Sequence, residues 1–279
     1  MYTTGWMKGG ASAVKVPLEV YMKGALVAFV LLVLSASVHA KVVGHSVDYK
    51  DGDLSFEGYI AFDETLSSLR PGVLVVHDWM GVSEETRRRC DMLAGLGYVA
   101  FAADIYGKGV RPSTPEEAGK LAGLYKGDRA LFRKRLALAL TQLRKDAHVD
   151  GSRVAAIGYC FGGTGVIELA RSGADVKGVV SFHGGLDSLR PEGAKAIKGR
   201  VLVLHGADDP FNSPADVAAF QDEMRKAGVD WQMIYYGGAV HAFTNPGAGS
   251  DPRRGAAYDA RADARSWTAM KDFLQELFS

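Results

Sequence analysis

The chain has 279 residues, 47% of them hydrophobic and 23% charged, with a formal net charge of +1. That length suffices for one large α/β domain or two small ones, and the near-neutral balance speaks against nucleic acid or an anionic membrane surface as a partner. Its two cysteines, Cys90 and Cys160, show no Cys-x-x-Cys spacing, so neither a disulfide framework nor a cysteine-type zinc site is indicated.

Taken in chain order, the first legible segment is a secretory signal. Met22-Lys23 precedes an apolar run over 24–37, which ends in Val38-His39-Ala40. A positive residue, a run of this length and a small-x-small ending predict cleavage after Ala40. The run is short for a membrane span. Residues 1–21 fit neither signal nor core, and Met22 is a second candidate start. The expected organisation is therefore an N-terminal extension and signal over 1–40, followed by one domain over 41–279. That mature protein would be exported, periplasmic or secreted, without a membrane span.

Strands are predicted over 42–49 and 54–62, joined at Asp51-Gly52-Asp53 as a hairpin. The continuous run Val73-Leu74-Val75-Val76 reads as a strand buried on both faces. A helix follows over 83–96 and a buried strand over 98–102. Residues 107–127 are rich in Gly and Pro, with one short helix over 114–125. An amphipathic helix over 128–145 carries Phe132, Leu136, Leu140 and Leu143 on one face. Strands over 153–159, 177–182, 201–205 and 231–236 come next, with a helix over 165–170. Another helix starts at Ser213-Pro214, a good cap with proline at the first position. The last helix buries Trp267, Met270, Leu274 and Leu277. Such alternation predicts a mainly parallel sheet covered by helices on both faces, with an antiparallel N-terminal hairpin.

In sheets of this kind the reacting groups gather beyond the carboxyl ends of the strands. The strand over 153–159 breaks at Gly158-Tyr159-Cys160-Phe161-Gly162-Gly163 and feeds a helix. This is the context of a nucleophile elbow, with Cys160 where serine usually stands. A thiol nucleophile needs a base, and the base needs a carboxylate to hold its tautomer. Cys160, Asp209 and His241 follow in the order nucleophile, acid, histidine, each just past a predicted strand. Asp208 is the rival acid. The amide of Phe161 is the first expected oxyanion donor, and the loop after 73–76 supplies the second, from Trp79 with Met80 as alternate. Cys90 reads as packing. His183 and His205 read as structural histidines near the site with their ring nitrogens satisfied, while Asp104 and Tyr106 read as residues that shape the pocket or orient the loop. His77, Asp78, Asp209, His183, His205 and His241 have no local metal-ligand spacing.

From residue 41 onward the chain resembles the dienelactone hydrolase family of α/β-hydrolases. The resemblance rests on His77-Asp78-Trp79-Met80-Gly81, Ala103-Asp104-Ile105-Tyr106-Gly107, the elbow, Gly206-Ala207-Asp208-Asp209-Pro210-Phe211 and His241-Ala242-Phe243. It implies an α/β-hydrolase fold and a Cys-His-Asp hydrolase without metal or cofactor, cleaving lactones or activated esters through a thioester. It also implies an acidic residue controlling the resting thiol, usually glutamate, here Asp78. Two substrate-binding arginines of the family are replaced by Lys108 and Asn245. With Tyr106 and Met80 these complete the expected pocket, and a neutral small-molecule ester fits it better than dienelactone. The state expected is a monomer or homodimer. An acyltransferase on the same triad and a non-enzymatic binding protein of this fold are the alternatives.

Overall fold

The computed structural model describes residues 40–279, with Met1 and Gly5; the expected signal segment before Ala40 lies outside the described residues. Strands β1 (Val42–Asp51) and β2 (Leu54–Asp63) form an antiparallel hairpin whose turn uses Gly52 at φ +60. There follow β3 (Arg70–Val76), α1 (Glu84–Ala94), β4 (Val99–Ala103), α2 (Pro115–Gly127), α3 (Arg129–Arg144) and β5 (Val149–Tyr159). The second half runs through α4 (Phe161–Arg171), β6 (Gly178–Phe182), β7 (Arg200–Gly206), α5 (Pro214–Ala227), β8 (Trp231–Tyr236) and α6 (Ala260–Phe278). The strand order is β1-β2-β4-β3-β5-β6-β7-β8, antiparallel through β4 and parallel beyond.

The alternation of β3 explains its unbroken apolar run. Leu74 and Val76 enter the core that holds Phe132 and Leu136 of α3, while Val73 and Val75 enter the one that holds Leu93 of α1 and Met270 of α6. Each face of the strand thus has its own apolar layer, and each such side chain contributes roughly 1.5–3 kcal/mol by leaving water. Cys90 is fully buried in the second of these cores, where loss of solvent pushes its thiol well above the ordinary range. Helix ends follow local chemistry. Ser213 and Asp216 form a reciprocal capping box at α5, with Pro214 at the first position.

Most predicted elements lie within a few residues of the observed ones. The helix after the elbow is longer than expected, starting at Phe161 rather than 165, because the glycines of its first turn are helical. Among the described residues, no helix is long and apolar enough to cross a membrane.

Candidate active site

Strand β5 ends directly in Cys160, whose backbone sits at φ 54, ψ −112. For a residue with a side chain this is a costly region, on the order of 1–3 kcal/mol, held only where the surroundings enforce it. The enforcement here is backbone packing. A Cβ on Gly162 would lie 2.2 Å from the Val76 carbonyl oxygen, and one on Gly163 would lie 2.8 Å from the Cα of Gly184. The elbow therefore presses α4 against the end of β3 and against the loop after β6, and the Cys160 side chain is turned outward.

His241 lies beyond β8, on a loop held by its own amide donating to the Gly255 carbonyl at 3.2 Å and its carbonyl accepting from Ala257 at 3.0 Å. Its Nε2 is 3.0 Å from Cys160 Sγ, and its Nδ1 is 2.9 Å from Asp209 Oδ2. Residues scattered over more than eighty positions thus form one hydrogen-bonded array at the carboxyl rim of the sheet. Asp208, the alternative acid, is exposed and takes no part.

The charges of the array support one another. Burial opposes a charge on His241, yet the ionised sulfur of Cys160 and the Asp209 carboxylate outweigh it and hold the imidazole up to about 10. Burial would likewise raise Asp209, but the His241 hydrogen bond and charge, with the Phe211 amide donating at 2.9 Å, keep its carboxyl below the usual range. Such a site favours the imidazolium form of His241 between the sulfur and the carboxylate.

The Asp209 carboxylate has a further partner that the sequence pattern did not reveal. Asn212 is buried; its Nδ2 donates to Asp209 Oδ2 at 3.3 Å and to the Gly184 carbonyl at 3.2 Å, and its Oδ1 accepts from the Leu186 amide at 3.0 Å. Arg89 was missed as well. Its guanidinium donates to the Thr244 carbonyl at 2.7 Å and to Asp263 at 3.0 Å, which ties the histidine loop to α1 and α6. The available signal was its place next to Cys90, a residue read as packing, on a helix with its burial turned toward the sheet.

A cleft of about 930 Å³ opens over the sulfur, with α2 forming one wall. Trp79, Met80, Asp78 and Asn245 line it together with Cys160 and His241. Trp79 is half exposed there rather than packed in the core. The Met80 amide already donates to Asp78 Oδ1 at 2.8 Å, whereas the Trp79 amide donates to no protein group among the described residues. The amide of Phe161, first in α4, has no intrahelical acceptor. Asp78 itself is pinned by Met80 and makes no hydrogen bond to Cys160, whose sulfur faces His241. Burial, reinforced by Glu85, raises its carboxyl above the usual range.

Two expected pocket residues are elsewhere. Lys108 pairs with Asp48 and lies 3.9 Å from Glu57 on the surface, outside the cleft. Opposite charges on the first hairpin draw it away. Tyr106 is buried behind the cleft wall, where its hydroxyl donates to the Trp79 carbonyl at 3.0 Å. His183 and His205 are not fully paired. His183 Nε2 meets Thr244 Oγ1 at 2.8 Å, but the Nδ1 of each ring is buried without a partner.

The sequence matches the Dienelactone hydrolase family over residues 56–278. The chain belongs to that family. Among its relatives is the "Putative carboxymethylenebutenolidase" of Aquifex aeolicus, 29% identical over 84% of this chain and 98% of its own. The structure called m3DLH is 42% identical, covers 85% of this chain and 99% of its own, and superposes with a TM-score of 0.82. A dienelactone hydrolase-like promiscuous phosphotriesterase from metagenomic libraries is 44% identical over 85% of this chain and 99% of its own, with a TM-score of 0.80. As a dienelactone hydrolase family member, the protein has the α/β-hydrolase fold and is a hydrolase acting on lactones or esters.

Proposed function

We propose that the protein opens lactones or cleaves activated carboxylic esters through a thioester on Cys160. The observation that carries this reading is the 3.0 Å and 2.9 Å relay from Cys160 through His241 to Asp209, anchored on a strained elbow. The sulfur adds to the carbonyl carbon, and the amides of Phe161 and Trp79 hold the resulting oxyanion. The intermediate collapses, the C–O bond breaks, and the imidazolium of His241 returns a proton to the departing oxygen. In a lactone that oxygen stays tethered to the acyl chain. Neutral His241 then takes a proton from water, whose oxygen attacks the thioester and releases the acid and the sulfur. Asp209 keeps the imidazole in the required tautomer throughout.

The chemistry selects among esters. A thiolate is a good leaving group, so forming a thioester from a simple alkyl ester is uphill. Lactones, enol esters and aryl esters supply the missing driving force. The test is turnover of p-nitrophenyl acetate by wild type and by Cys160→Ala, with the fold of the variant checked by circular dichroism. Turnover should fall to the rate of buffer alone; a Cys160→Ala protein that still hydrolyses the ester would end the proposal.

The 44% identical phosphotriesterase favours a second substrate class for the same sulfur. Attack at a phosphorus centre would expel an aryloxide, again with a proton from His241. A p-nitrophenyl phosphotriester given to both proteins tests it, since release of nitrophenol should depend on Cys160.

A further inference from the structure

His77 directly follows β3 and leads into the loop that carries Trp79, and the relay from Cys160 to Asp209 does not use it. Its ring is fully buried, and burial drives its pKa down to about 4, so it is neutral where the enzyme works. The tautomer is fixed by its neighbours. The Ile105 amide donates to Nε2 at 3.3 Å, and an amide can only donate. The proton therefore sits on Nδ1, which donates to the Asp78 carbonyl oxygen at 2.5 Å.

That carbonyl belongs to the same peptide unit as the Trp79 N–H. The unit is planar and trans, so its C=O and N–H point in opposite directions. Whatever holds the Asp78 oxygen sets the direction of the Trp79 amide. The next unit is held too, since the Tyr106 hydroxyl donates to the Trp79 carbonyl at 3.0 Å. The His77 ring also stacks on Phe161 at 5.6 Å with planes 19° apart, and meets Tyr106 edge-on at 4.8 Å. It thus touches the residues that supply both oxyanion amides.

We propose that His77, backed by Tyr106, is the positioning residue of the oxyanion hole: its Nδ1–H fixes the peptide plane from which the Trp79 amide donates. The inference rests on the proposed acyl chemistry at Cys160. An unanchored 78–79 peptide would rotate, because among the described residues the only other donor to the Asp78 oxygen is the Gly81 amide at 3.4 Å. Rotation would remove a donor aimed at charge that exists only in the tetrahedral intermediate, so kcat should suffer and KM should not.

The experiment compares two reactions of one sulfur. Hydrolysis of p-nitrophenyl acetate passes through an oxyanion, whereas alkylation by iodoacetamide displaces iodide at carbon and forms none. His77→Gln can accept from Ile105 but is placed to mimic Nε2; His77→Asn offers an N–H near the position of Nδ1. We expect His77→Gln to lose on the order of ten- to a hundredfold in kcat with little change in KM. His77→Asn should recover much of that loss, and all variants should alkylate at rates within about twofold of wild type. Tyr106→Phe, which leaves His77 in place and frees the Trp79 carbonyl, should show the same split to a smaller degree and keeps the test open if the His77 variants do not fold. Parallel losses in both reactions would assign these residues to general structure or thiol activation and overturn the inference, as would unchanged kcat in His77→Gln or, where only Tyr106→Phe folds, in Tyr106→Phe. The underlying acyl chemistry fails separately, if Cys160→Ala keeps its turnover.

Discussion

A Cβ on Gly158 would stand 2.0 Å from the carbonyl oxygen of Gly162, four residues further along the chain. The strand before Cys160 and the helix after it are in backbone contact at that point. No rotamer change can relieve such a clash, because both parties are main chain. The positive φ of Cys160 is the conformational consequence of folding the chain back so tightly.

Gly158→Ala should therefore force α4 away from β5. We expect a loss of roughly 1–3 kcal/mol or more, the range found for overpacked cores, read as a lowered urea midpoint. Ester turnover should fall further than stability alone requires, since the sulfur moves with the helix. A variant with the wild-type midpoint and full turnover would contradict this account of the elbow.

The coupling of His241 to Cys160 has a titration signature. His241 is raised from 6.5 to about 10 by charges that outweigh its burial, the ionised sulfur foremost among them. For a histidine with a raised native pKa, the stability attached to its charge is fully present below 6.5 and is lost as pH rises toward about 10. Replacing the sulfur removes the largest attraction and leaves burial opposed mainly by Asp209. In Cys160→Ala the imidazole proton resonances of His241 should titrate at clearly lower pH than in wild type. The wild-type advantage in stability over that variant should also shrink between neutral pH and about 10. Identical NMR titration curves in the two proteins would show that no ion pair exists.

How much of this was legible beforehand depended on distance in the chain. The array was readable because Cys160, Asp209 and His241 each follow a strand, and topology brings strand ends to one rim. The elbow glycines were readable because their reason is local. Asn212 was not, since its value lies in facing Asp209 and Gly184 at once, and a polar residue before a helix cap suggests only a turn. Tyr106 was placed in the correct neighbourhood with the wrong orientation. Whether its hydroxyl reached the cleft or the Trp79 carbonyl was decided by packing against α2 and α4, on the rings of Tyr125 and Phe161. Lys108 was misplaced because its partner, Asp48, comes from a strand sixty residues earlier.

That position of Lys108 makes a prediction against the family pattern. A lysine paired with Asp48 outside the cleft has no substrate to hold. Lys108→Ala should leave kcat/KM within about twofold of wild type, for a neutral aryl ester and for one bearing a carboxylate alike, as expected for a solvent-exposed pair. A selective loss on the carboxylate-bearing ester would return Lys108 to the binding site.

Asp78 offers the opposite case, a charge inside the cleft whose removal should help the thiol. Burial, with Glu85 nearby, raises its carboxyl, so its ionised form is the costly one in the folded protein. A carboxylate with a raised native pKa loses stability as pH climbs through its titration, which makes Asp78→Asn at least as stable as wild type at neutral pH. The asparagine oxygen can still accept from the Met80 amide, so the Trp79 loop keeps its shape. With the negative charge gone, the neighbouring sulfur ionises more readily, and iodoacetamide should alkylate Cys160 several-fold faster near neutral pH. Slower alkylation in Asp78→Asn, with the fold intact by circular dichroism, would mean that the carboxylate promotes the thiolate rather than restrains it.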